Sequence, residues 1–388
     1  MEVTLPSHAG DGGTPLAAAD DALLAAAQTI AARAAARAAG DDHRGGFPAE
    51  GVAALVASGL LRAPAERAHG GAGWAADPAE AHRLFSVLRA LGRGSLPLGR
   101  LYEGHVNALA LVEAYGTAAQ RARAAQDAAR GELFGVWNTE APSDGVHLDP
   151  LPGGRLRMDG AKTFCSGAGR VTRILTTGAL PDGGWQMVLV PTDRVATRAE
   201  PEAWQAEGMR ATASGRVDFS GAVLEPGDVL GAPGDYLREP LFNGGAVRFA
   251  AVQLGGAEAL AEAAADHLRA LGRTDAEVQR LRMGEVSVAL ETGRLWLLGA
   301  ARLAARGAPD AAVVAYAQHA RTAVERVCLD VLERADRAVG ARGLLPPGAA
   351  ERIGRDLRLY LRQPNPDGAL AAAGAAFLDG PLAWGSAL

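Results

Sequence analysis

The chain of 388 residues is long enough for two or three domains, and its 48% hydrophobic and 21% charged content is that of a folded globular protein rather than a disordered one. A net charge of −5 argues against a nucleic-acid partner, which needs a basic surface, and two cysteines, Cys165 and Cys328, cannot build a disulfide framework, so a reducing, cytoplasmic setting is expected. No run of about 18 apolar residues is free of charge, so no membrane span is expected. The N-terminal MEVTLPSHAGDGG lacks a basic segment followed by an apolar one, and residues 1–15 read as a disordered arm rather than a secretory signal.

Residues 16–130 read as a helical domain. LAAADDALLAAAQTIAARAAARAA is rich in the best helix former and carries apolar residues at mixed three- and four-residue spacing. FPAEGVAALVASGLL, DPAEAHRLFSVLRALG and SLPLGRLYEGHVNALALVEAYG follow as further amphipathic helices, the last closed by Gly116. The pattern changes near Gly131. Over residues 131–234, ELFGVWNTE, GRLRMDGAKTF, RILTTGAL, WQMVLVP and GRVDFSGAVL are short, rich in strand formers and separated by turn signals, which predicts a small antiparallel barrel or sandwich. Helical period returns in the third section, 235–388. The segments 246–271, 276–306, 309–339 and 349–363 predict a four-helix bundle. The last of them is highly polar and ends at Pro364 and Pro366. The expected class is α+β multidomain: helices, then a β domain, then a helical bundle.

That order, with specific residues, resembles the acyl-CoA dehydrogenase superfamily of flavoproteins over roughly residues 45–363. HGGAGW after the second helix is similar to the family's early glycine turn, WNTEAPSDG to the loop that holds one edge of the flavin, and GAKTFCSGAG to its most diagnostic segment. EGMRATASGRVDFSGAVLEPGDVLG resembles the stretch that closes the β domain. The resemblance implies bound FAD. Thr139, in the loop with Trp137, would contact the pyrimidine edge, Ser166 would lie near the reactive nitrogen, and Phe164 would pack on the ring where the family usually has Trp. Read without the family, Phe164 is a strand residue of the core and the two hydroxyls are turn residues. The dinucleotide tail would meet an arginine, either Arg269 or Arg273, with Gln279 nearby and a turn formed by RAVGARG, including Arg337 and Gly340. A guanidinium suits a pyrophosphate because it can bond two oxygens at once. The same arginines also fit a solvated helix face.

The family's dehydrogenases need a base to remove a proton beside a thioester carbonyl. Its usual glutamate position falls here at Gln363 or Pro364, and no carboxylate lies between Asp356 and Asp367. A second family position, just before an arginine on a bundle helix, holds Val247 ahead of Arg248. His105 is the substitute that stands out: it shares a helical stripe with Leu101, Leu109 and Val112, on a helix comparable to one lining the family's substrate cavity, and histidine titrates near neutrality. A buried core histidine is the other reading. Glu103, turned to a more polar face, is a second candidate, and Tyr360, Arg362 and Gln363 are expected at the same cavity. Histidines at metal-ligand spacing are absent, so no metal site is expected, and Cys165 reads as packing.

Three functions follow. The first is an FAD-dependent oxidoreductase acting on a small acyl or acyl-thioester-like substrate by hydride transfer to flavin. The second is a reduced-flavin-dependent monooxygenase on the same fold, fed by a flavin reductase; the first would use an electron-transfer flavoprotein. The third is a non-catalytic flavin-binding or assembly subunit. The resemblance implies a homodimer or homotetramer.

Overall fold

The computed structural model describes residues 15–362 and 364–380. Residues 1–14 of the expected arm, and Gln363, lie outside the described residues. The N-terminal section is five helices: α1 (Pro15–Arg44), α2 (Ala49–Ala57), α3 (Ala81–Gly94), α4 (Leu96–Tyr115) and α5 (Ala118–Ala129). Local chemistry sets their ends. The Ser95 hydroxyl accepts from the Leu98 N–H at 3.4 Å, opening α4 with Pro97 in its first turn. Thr117 and Gln120 form a reciprocal capping box that opens α5.

The middle section holds β1 (Phe134–Trp137), β2 (Thr139–Glu140), β3 (His147–Pro150), β4 (Leu156–Asp159), β5 (Ala161–Thr163), β6 (Arg173–Ala179), β7 (Trp185–Pro191), β8 (Arg198–Glu200), β9 (Arg216–Asp218), β10 (Ala222–Leu224) and β11 (Val229–Leu230). They form two sheets, one ordered β10-β4-β3-β6-β7-β11 with β1 also on β6, the other β2-β5-β9-β8. Pairing is antiparallel as the turn spacing predicts, except that β1 and β3 each run parallel to β6. The chain leaves the first sheet at Trp137 and joins the second at Thr139, so the WNTE stretch bridges the two.

The C-terminal section is α6 (Leu241–Gly244), α7 (Ala246–Ala270), α8 (Glu277–Ala305), α9 (Asp310–Gly343), α10 (Ala349–Tyr360) and α11 (Pro366–Leu378). The four long segments read from periodicity are α7 to α10. The prolines that stop α10 also start α11: Pro366 occupies its first turn and the Asn365 side chain accepts from the Gly368 N–H at 3.1 Å.

Helix α3 crosses α7 where both lack side chains. A Cβ on Gly92 would overlap the Val252 carbonyl, and one on Gly255 the Arg89 carbonyl. That close approach seats α4 between the bundle and β1. Leu98, Tyr102, His105, Val106, Ala108 and Leu109 of α4 are all fully buried. Any polar side chain on α4 must therefore find its partners inside the protein.

Candidate functional site

The edge shared by β2 and β5 carries the groups expected to hold a flat ring. Thr139 pairs in register with Thr163, and its side chain is exposed. Phe164 follows at once with φ +54, a left-handed conformation that costs a bulky residue energy, and its side chain remains 50% exposed. It packs edge-on against Trp204, with ring centroids 5.6 Å apart. A strained, half-exposed aromatic beside an exposed hydroxyl is poor core packing, and it fits one face and one edge of an isoalloxazine. Ser166 lies two residues on. Its carbonyl accepts from the Trp137 indole N–H at 3.0 Å, so the buried Trp137 ring holds the Ser166 turn from behind. Cys165 is buried between them, and burial pushes its thiol far above the usual range.

A narrow cleft joins Ser166 and Trp137 to Arg100 and Gly104 of α4, with Gly135 and Val171 in its walls. Behind it lies a polar cluster. Arg100 donates to one oxygen of Glu103 and Asn107 donates to the other. Arg248 of α7 donates from Nε to the Asn107 carbonyl oxygen at 2.5 Å. Glu103 is only 2% exposed, so the polar face on which the helical pattern placed it does not exist: α4 is enclosed, and the carboxylate is buried with an arginine partner. Burial pulls Arg248 below its ordinary value, with Glu103 acting against that; at Arg100 burial is also the largest influence and lowers it, but the Glu103 charge and hydrogen bond together with the nearby tyrosines raise it overall. Tyr360, at the end of α10, is within the reach of the Glu103 and Arg100 charges, and burial raises its phenol well above 10.

His105 sits one turn on and faces away from this cluster's chemistry. The Phe134 N–H donates to Nδ1 at 3.1 Å, which leaves the proton on Nε2, and Nε2–H donates to the Leu61 carbonyl at 2.6 Å. Tyr102 donates to the neighbouring Leu60 carbonyl at 3.0 Å. Both rings thus staple α4 to the turn after α2. Burial lowers His105 to about 4, so the imidazole is neutral near pH 7, with neither nitrogen open to a substrate.

The expected dinucleotide end is elsewhere. Arg269, in the last turn of α7, is exposed and paired with Asp266 at 2.5 Å. Arg273 is exposed in the turn before α8. Gln279 is buried at the start of α8, where Arg282 Nη1 donates to its oxygen at 3.3 Å and to the Arg337 carbonyl at 3.2 Å. The Arg337 guanidinium itself is exposed on Glu333. Gly340 interrupts α9 with φ +62 and ψ −174, in open space. The fold therefore brings Gln279, Arg337 and Gly340 to one end of the bundle, where the last turn of α7 also ends, with Arg269 exposed there and paired with Asp266. Arg362 is also on the surface, bonded to Glu325 at 2.6 Å, rather than at the cavity with Tyr360. Among the described residues no group of three His, Cys, Asp or Glu could hold a metal, and no helix is long and apolar enough to cross a membrane.

The sequence reading missed Arg100, Asn107 and Asn138. Arg100 and Asn107 flank Glu103 at three and four residues on an otherwise apolar helix, a spacing that was legible.

Comparison with known proteins identifies the family and the fold. Residues 18–132 match the model of the acyl-CoA dehydrogenase N-terminal domain, and residues 235–361 that of the acyl-CoA dehydrogenase C-terminal domain. The chain is 28% identical over 359 residues to dibenzothiophene monooxygenase of Mycolicibacterium goodii, covering 82% of this chain and 84% of that protein. TdsC from Paenibacillus sp. A11-2, solved with FMN and indole, superposes with a TM-score of 0.82 at 24% identity, over 92% of this chain and 97% of that one. Butyryl-CoA dehydrogenase from Megasphaera elsdenii superposes with the same TM-score at 18% identity, over 95% and 100%.

Proposed function

The chain belongs to the acyl-CoA dehydrogenase superfamily of flavin-dependent oxidoreductases, and from that premise we propose that it is a monooxygenase rather than a dehydrogenase. The observation that carries this is the state of Glu103. It is the carboxylate of the buried cluster, and both its oxygens are occupied, by Arg100 and Asn107. With both oxygens engaged and the group enclosed, it presents no open oxygen to take a proton from carbon. His105 offers no open nitrogen either. The dibenzothiophene monooxygenases among the relatives favour the same reading.

Thr139, Ser166 and Phe164 would hold the flavin, whose bound, reduced form supplies the electrons that activate dioxygen. The chain's own part is to stack one ring face on Phe164, to bond the ring edge from the β2–β5 edge, and to exclude water with the apolar walls of the cleft. A flavin reductase would deliver reduced flavin, in place of an acyl-CoA substrate and an electron-transfer flavoprotein. The isoalloxazine is common to FMN and FAD. Only FAD would extend an adenine toward the Gln279–Arg337 end, and the family resemblance carries that part of the reading.

The test supplies purified protein with FMN, NADH, a general flavin reductase, isotopically labelled dioxygen and indole. One labelled oxygen atom in an indole product is the expected result. Bleaching of the bound flavin by butyryl-CoA without oxygen, with no label incorporated into indole, would overturn the proposal in favour of dehydrogenation.

A further inference from the structure

The turn that carries Phe164 and Ser166 is held in place by a segment distant from it in sequence. Strand β8 ends at Glu200 and β9 begins at Arg216, and residues 201–215 between them form a long loop with two short 3-10 turns, Pro201–Ala203 and Arg210–Thr212. The loop meets the Phe164 turn along its length. Trp204 packs on the Phe164 ring. The Cys165, Gly167 and Ala168 N–H groups donate to the carbonyls of Gly215, Thr212 and Ala213 at 3.0, 2.8 and 2.9 Å. The Thr212 hydroxyl donates in turn to the Met209 carbonyl at 2.7 Å. Of the four non-glycine residues with left-handed φ among the described residues, three lie in this patch: Phe164, Met209 and Ala213. Such strain persists only where the surroundings impose it, and it gathers where a ligand is gripped.

What imposes it comes from outside the β domain. Asp356 of α10 accepts through Oδ1 from the Met209 N–H at 2.5 Å. Its neighbour Arg355 donates to the Glu207 carbonyl, and to Asp42 of α1 at 2.7 Å. Gly208 lies against α10: a Cβ there would meet the Arg355 carbonyl at 2.3 Å. Three consecutive loop residues are thus fixed by two consecutive residues of one helix. Asp356 is only 2% exposed, and burial raises its carboxyl to about 6; the Met209 N–H and the Arg352 and Arg355 charges act against burial, and the Asp42 charge acts with it. Enclosing a carboxylate is costly, and here the cost is offset by a charge-assisted bond to a backbone N–H, which holds Met209 in a conformation its side chain disfavours.

Resting on the reading that Phe164 and Ser166 hold the flavin, we propose that Asp356 is a positioning residue for the cofactor. It acts through Met209. The carboxylate fixes the loop, and the loop sets the Phe164 ring through Trp204 and the Ser166 turn through Thr212, Ala213 and Gly215. The oxygen acceptor is what matters, because its bond to Met209 crosses from the C-terminal bundle to the β domain. Flavin affinity therefore depends on how α10 seats against the loop, although α10 is remote in sequence from every group expected at the ring.

Titration of the full chain with FMN, followed by flavin fluorescence and visible absorbance, tests the proposal. Asp356→Ala removes the acceptor and should weaken FMN about tenfold at unchanged stoichiometry, with the visible bands of the bound flavin displaced. Asp356→Asn keeps an oxygen for the Met209 N–H and should stay within about threefold of the wild type, with the bands restored. Gly208→Ala presses the same loop off α10 without altering the carboxylate, and should also weaken FMN about tenfold. A lower stoichiometry with affinity and spectrum unchanged in both Asp356→Ala and Gly208→Ala marks a role in folding alone and overturns the inference, as does an Asn variant as weak as the Ala one. Phe164→Ala separates the inference from the reading beneath it. Weaker FMN in Phe164→Ala, with no loss in Asp356→Ala or Gly208→Ala, refutes the positioning role and leaves the flavin reading intact. A wild type that takes up no FMN, or affinity lost in Asp356→Ala but untouched by Phe164→Ala, refutes both.

Discussion

His105 offers the sharpest separation between a catalytic and a structural role, because the two predict opposite outcomes. Its ring is fully buried, its Nδ1 accepts from Phe134 and its Nε2–H donates to Leu61. Above pH 6.5 the imidazole is neutral in both the folded and the unfolded chain, and its full contribution to stability is present. Below that value the unfolded chain takes up a proton that the folded chain refuses until pH falls to about 4. Stability is therefore lost progressively between pH 6.5 and about 4. At about 1.4 kcal/mol per pH unit the loss amounts to about 3 kcal/mol. His105→Leu removes the titration and leaves the Phe134 N–H and the Leu61 carbonyl buried and unpaired, at about 1–3 kcal/mol each. Urea unfolding followed by tryptophan fluorescence at steps from pH 7.5 to 4 compares the two proteins. The variant should be about 2–5 kcal/mol less stable at pH 7.5, and the gap should close by about 3 kcal/mol on acidification, while turnover per folded molecule is retained. A variant as stable as the wild type but inactive would refute the reasoning and make His105 a proton-transfer group. A gap that does not change with pH would refute the assigned environment.

Four further outcomes follow from the same geometry. Phe164→Ala removes a half-exposed ring from a left-handed position, so flavin affinity should fall about tenfold by equilibrium dialysis while stability moves by less than about 1 kcal/mol. Gly255→Ala forces α7 away from the Arg89 carbonyl, and its unfolding midpoint should reflect a loss of about 3 kcal/mol or more. If the adenine of FAD is held at the end of the bundle where Arg282 joins Gln279 to Arg337, Arg282→Ala should weaken FAD about tenfold and leave FMN unchanged. Leu281, Val288 and Leu295 are exposed at seven-residue intervals along α8, a stripe suited to a second copy of the chain; Val288→Glu should reduce the mass measured by light scattering to that of a smaller species.

What the sequence revealed and what it hid divide along a physical line. Periodicity located α7 to α10 to within a few residues because each buries a single apolar stripe, and that stripe recurs in the sequence. Helix α11 was hidden because Pro364 and Pro366 read as an end, although proline in a first turn, next to an Asn cap, also marks a beginning. Glu103 was misplaced for a related reason. Helical period assigns a charged residue to solvent whenever it falls off the apolar stripe, and that inference holds only for a helix with a wet side. α4 is walled in by α3, α7 and β1, so the polar residues off its stripe form an interior cluster instead. The groups that reach that cluster, Arg248 on α7 and Tyr360 on α10, lie more than 140 residues further along the chain. No local pattern could have joined them. The groups expected at the flavin edge lie close together in the sequence, Trp137 and Thr139 in one short stretch and Phe164 and Ser166 in another, so a local pattern could propose them. The cluster around Glu103 was not legible in this way, because Arg248 reaches it only when α7 has packed on α4.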